Sequence, residues 1–118
     1  MSLFLLPSCG KNHTEMVLES LQAVEYAMRT NLDDPEKMLV ELDACIEKYG
    51  PVWDKSHHLL ETQSKDSYRK EFNLQIVHLR EVSREIIDLD LEIQDRLQDQ
   101  PELLKAYEER VQRIGKTR

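Results

Sequence analysis

Apolar residues recur at helical spacing along most of the chain. Between Asn12 and about Thr30, Val17, Leu21, Val24 and Met28 follow at steps of four, three and four, which is one face of an amphipathic helix. Asn12 and Glu15 have the spacing of a capping box, so the helix is expected to start there. A second stripe, Leu39, Leu42, Ile46 and Tyr49, is widened by Met38 and Cys45. Asp34 is a suitable N-cap for it, and Pro35 suits the first helical position, where a missing N–H costs nothing. Gly50 and Pro51 are expected to stop this helix. The few residues between the two helices predict an antiparallel hairpin.

After Pro51 the apolar pattern resumes with Val52, Trp53, Leu59 and Leu60, and the polar stretch 62–67 predicts a break. A long amphipathic helix is then expected from Tyr68 to Leu97. Phe72, Leu79, Ile86 and Ile93 are seven apart, and Gln75, Val82, Leu89 and Arg96 fill the second heptad position. Asp66–Lys70 and Glu92–Arg96 have the spacing of favourable i, i+4 pairs. Such a helix would be about 45 Å long. Pro101 opens a last helix, with Asp99 as its expected cap, or else kinks the long one; Leu104, Tyr107, Val111 and Ile114 line its face and Gly115 ends it. No strand pattern and no hairpin-turn dipeptide occurs. The fold expected is therefore all-α: a bundle of four to five helices with an antiparallel N-terminal hairpin and one long amphipathic helix. Residues 12–118 would form one domain. The first two helices are too short to cover the long one. The seam Phe72, Leu79, Val82, Ile86, Leu89 and Ile93 is thus expected to meet a protein partner or a second copy in part.

Charge narrows the partners. Of the net −7, residues 11–50 contribute −5 and residues 51–100 contribute −4, while residues 101–118 contribute +2. An acidic body lacks the basic stripe that nucleic acid requires. No apolar run reaches the length of a membrane-spanning helix.

Enzyme motifs are missing: there is no Gly-x-Ser-x-Gly, and the three glycines form no phosphate-cradling loop. His57, His58, Glu61 and Asp54 cluster in sequence, but the second copy of the motif that a di-metal bundle needs is absent. The expectation is a non-enzymatic protein with no metal, no other cofactor and no small-molecule substrate. Trp53 is read either as a plug at the end of the hairpin or as an anchor for a partner, since Trp is enriched at binding hot spots. Cys45 lies on a helical stripe and is expected to be a small core residue.

The N-terminus carries a different signal. Leu3-Phe4-Leu5-Leu6-Pro7-Ser8-Cys9-Gly10 resembles the end of a bacterial lipoprotein signal peptide, with Leu6, Ser8 and Cys9 at the family's positions. The resemblance covers these residues only. It implies that Cys9 becomes the lipidated first residue of the mature chain. Residues 1–11 would then be a shortened signal and tether, with Met1-Ser2-Leu3 left by expression. It further implies a membrane-anchored protein on the periplasmic side of the cell envelope. The alternative is a cytoplasmic secretion or flagellar-type chaperone that holds an amphipathic partner helix.

Overall fold

The structure, a computed structural model, describes residues 11–115. Among these residues every regular element is a helix: α1 His13–Thr30, α2 Pro35–Thr62, α3 Lys65–Lys70, α4 Ile76–Leu97 and α5 Pro101–Gly115. The all-α bundle expected from the sequence is what forms. Cys9 lies outside the described residues.

The first helix starts as its residues dictate. The Asn12 side chain accepts from the Glu15 backbone N–H at 2.9 Å, and the Glu15 carboxylate accepts from the Asn12 N–H at 3.2 Å. This reciprocal pair satisfies two donors that the first turn would otherwise leave open. Asn31 closes the helix. It is buried, and its amide donates to the Ala27 carbonyl at 2.8 Å and to Glu41 at 2.9 Å, fastening the turn to the next helix.

Four cross-contacts set the direction of α2. Asn31 meets Glu41, Ser20 meets Trp53, Glu19 meets Tyr49 and His13 meets Ser56. From Asn31 back to His13 along α1, the partners run from Glu41 forward to Ser56 along α2, so the two are antiparallel. At the other side, α4 runs parallel to α1: Ile76 and Leu79 lie beside Val17 and Leu21, while Arg96 reaches Asp33 at 2.8 Å. The last helix lies against α2 and α4. Arg110 pairs with Asp43 at 2.9 Å, and the Tyr107 hydroxyl donates to Asp90 at 2.5 Å. The thinnest dimension, 23 Å, is about two helix diameters, so the helices form two layers. Their shared core holds Met28, Met38, Leu42, Trp53, Ile93 and Tyr107.

Three boundaries differ from the sequence expectation. Gly50 and Pro51 do not end α2, which continues to Thr62 with Pro51 inside it. Gly50 is not left-handed, because no described residue has positive φ. Trp53 and Ser56 supply the reason: on the continuing helix both are buried, in line with Leu42, Cys45 and Tyr49.

The long helix starts at Ile76 and not at Tyr68. After Lys70 the backbone shifts to i→i−3 bonds, with Phe72 N–H on Arg69 O at 3.0 Å and Gln75 N–H on Phe72 O at 2.9 Å. This tight turn swings Phe72 inward, where it is buried and meets the Tyr68 ring edge-on at 4.9 Å. The longest helix is consequently α2. Pro101 begins a separate helix, with Gln100 rather than Asp99 in the preceding position, its carbonyl accepting from Leu104 N–H.

The break expected at 62–67 is present. Gln63 is extended, and the Ser64 side chain caps α3 by accepting from Ser67 N–H. Of the two expected i, i+4 pairs, Glu92–Arg96 forms at 2.7 Å.

Candidate functional site

The end of the bundle where α1 starts and α2 finishes is less tightly closed than the middle. Here α3 and the turn 71–75 cross over, and a cavity of about 250 Å³ remains half open. Its wall is apolar: Val17 and Leu21 from α1, Trp53 and Leu60 from α2, Phe72 from the turn, and Ile76 and Leu79 from α4. The polar groups on its lining are Ser56, Tyr68, Arg69 and Ser83. An apolar cleft with a few polar groups is the usual form of a binding site.

The seam predicted on the long helix divides along its length. Leu89 and Ile93 are buried in the core, together with Trp53. Leu79, Val82 and Ile86 are only half-buried. Trp53 donates its indole N–H to Ser20 Oγ at 2.8 Å, and Ser20 in turn donates to Val17 O at 2.6 Å. The indole therefore forms part of the cavity wall and is not an exposed anchor. Gln75, the polar interruption of the seam, has its buried Oε1 without a hydrogen-bond partner. The second interruption, Arg96, lies at the surface and bonds Glu92 and Asp33.

Sequence reasoning missed Leu60, Ile76 and Tyr68 as lining residues, because it assigned Tyr68 and Ile76 to a single helix. It also missed a second apolar strip on α4. Leu74, Val77, Ile87 and Leu91 are 56–88 % exposed. The spacing of Val77, Ile87 and Leu91 by ten and four would have marked it.

Beside the cavity, His13 Nε2 and Ser56 Oγ share a hydrogen bond at 2.9 Å. Burial is the main cause that pushes His13 below its ordinary pKa, with help from Lys55 and against the opposing effect of Glu71. Ser56 lies inside α2, where backbone N–H groups are used by the helix ladder. The pair ties α1 to α2.

The tie has a pH consequence. A His whose folded pKa is lowered is neutral in the fold while the unfolded chain takes up a proton. Its contribution is complete above the ordinary value of 6.5 and declines as pH falls from there towards the folded value. Urea midpoints measured at pH 7.5 and pH 5.5 should differ more for the wild type than for His13→Gln. Equal differences would show that His13 is not coupled to folding.

His57 and Glu61 lie 3.7 Å apart on α2, in an open concavity that also includes Asp54, His58 and Arg113. Among the described residues no three potential ligands group as a metal site would require. Nor is any described helix long and apolar enough to cross a membrane.

Comparison with protein-family models, curated proteins and solved structures gives no match. The functional reading therefore rests on the residues themselves.

Proposed function

We propose that this chain is a non-enzymatic helical binding or scaffolding protein, anchored in the bacterial cell envelope through lipid on Cys9 and facing the periplasm. The observation that carries the binding role is the half-open cavity, whose walls are Leu21, Leu60, Phe72, Ile76 and Leu79 around Trp53. An amphipathic partner helix that inserts one or two apolar side chains would bury surface that the bundle leaves wet. The tether supports the same reading by position. Residue 11 leads directly into α1, whose His13 is tied to Ser56 on the cavity wall. The cleft would thus lie at the anchored end of the bundle. Acyl chains on Cys9 would add about 0.8 kcal/mol of membrane affinity per buried CH₂.

Two measurements test the two halves. The protein expressed with a complete signal peptide should enter the detergent phase on phase separation, and Cys9→Ser should move it to the aqueous phase. Aqueous partition of both would remove the anchor and leave the cytoplasmic chaperone reading ahead. A photoreactive side chain at position 79 should crosslink a protein partner in cells, whereas one at exposed Glu108 should not. Equal capture at the two positions would remove the cavity from the proposal.

A further inference from the structure

The outward face of α4 is built like a contact surface. Val77, Arg80, Arg84, Ile87 and Leu91 follow at steps of three, four, three and four. This is a heptad strip offset by two residues from the core-facing seam. Val77, Ile87 and Leu91 are more than half exposed, and Leu74 extends the strip at one end. A helix that is apolar on opposite sides needs cover on both. Between the apolar positions stand Arg80 and Arg84. Both are exposed, and neither makes an ion pair with another described residue. By contrast, Arg29, Arg96 and Arg110 pair with carboxylates within their own chain.

We propose that this strip docks against the same strip of a second copy, antiparallel and centred on Arg84. Charge selects this geometry. In a parallel pair, Arg80 would face its counterpart and so would Arg84. In the antiparallel register, Arg80 faces the partner's Asp88, Val77 faces the partner's Leu91 and Ile87 faces the partner's Glu81, so that only Arg84 meets its own counterpart. Two-fold symmetry repeats each contact. Each Arg84 lies on the axis, with the partner's Glu81 and the partner's Asp88 one turn to either side. The strip therefore carries a complement to Arg80: Asp88 is on the same helix at the spacing the register requires. This surface is distinct from the cavity proposed to take a partner helix, so the two can be occupied together.

Sedimentation equilibrium over micromolar to millimolar protein at low salt should show a reversible monomer–dimer equilibrium that weakens as salt screens the charges. Arg80→Glu and Asp88→Arg should each weaken it by about tenfold or more, because each replaces two symmetric attractions with repulsions. The double variant R80E/D88R should recover affinity, since it restores opposite charges across the interface. Leu91→Asp should give a monomer with the circular dichroism of the wild type, the side chain being at the surface. Three results would overturn the proposal: a monomer at every concentration, a dimer indifferent to Leu91→Asp, or a double variant as weak as the single ones.

Discussion

Tyr107→Ala is expected to be among the most destabilising single substitutions in this protein, at about 3–5 kcal/mol by comparison with other buried aromatic truncations. Tyr107 is fully buried, at 0 % exposure, between α2 and α4. Its hydroxyl donates to Asp90 Oδ1 at 2.5 Å, and Gln94 donates to the other carboxylate oxygen at 2.8 Å. The alanine variant leaves a cavity and takes one of two donors from a partly buried carboxylate. A protein of this size has about 5–15 kcal/mol of stability in total, so the variant should lie near the unfolding threshold at 37 °C. Tyr107→Phe separates the two effects. It retains the ring and loses only the hydrogen bond, for about 1–3 kcal/mol. Urea unfolding followed by circular dichroism measures both. A phenylalanine variant as unstable as the alanine variant would mean that the hydroxyl, and not the packing, dominates.

The same residue limits stability in alkali. Burial, and then the Asp90 carboxylate, push the Tyr107 hydroxyl well above its ordinary value; Tyr49, buried and bonded to Glu19, is pushed up to about 12. A raised folded pKa means that the contribution is complete below the unfolded value of about 10 and is lost as pH rises above it.

How far the fold could be read from sequence depended on whether the deciding interaction was local. The capping box at Asn12, the Asp34-Pro35 start and the break at Gln63 involve residues within a turn of each other, and their chemistry allows few alternatives. Gly50-Pro51 also looked local, but what decides it lies across the bundle. Continuing the helix lets Trp53 bond Ser20 and lets Ser56 bond His13. Phe72 fell on the heptad by spacing, yet it is buried by a turn that ends the heptad. Seven-residue spacing cannot distinguish a continuous helix from two helices whose junction buries the same residue.

The candidate site was legible to a similar extent. Phe72 and Leu79 line the cavity, whereas Leu60 and Tyr68 join them only through the crossing of α3. The outer strip was missed for a different reason. Arg80 and Arg84 occupy two of its heptad positions and interrupt its apolar run. Beyond the ten-and-four spacing of Val77, Ile87 and Leu91, the two arginines' lack of ion-pair partners among the described residues distinguishes it.

Replacing Gly50 and Pro51 should stabilise the protein, the opposite of what a helix stop would give. Pro51 lies inside α2, so it supplies no N–H to the carbonyl one turn back, and its ring crowds that carbonyl. Such a proline costs about 3 kcal/mol relative to alanine in an unconstrained helix. Here Pro51 is exposed, so alanine gives up little packing. Gly50 has no positive φ, and a Cβ added to it would meet nothing within 4 Å. Gly50→Ala should accordingly gain about 0.5–1 kcal/mol from a less flexible unfolded chain. The double variant is expected to gain about 2–4 kcal/mol, with a melting temperature higher by on the order of 10 °C. Had the two residues formed a left-handed stop, alanine at position 50 would be strained and the variant would melt lower. Thermal unfolding of Gly50→Ala alone therefore distinguishes one continuous helix from two: a rise places Trp53 and Ser56 on the same helix as Leu42, and a fall returns them to a separate one.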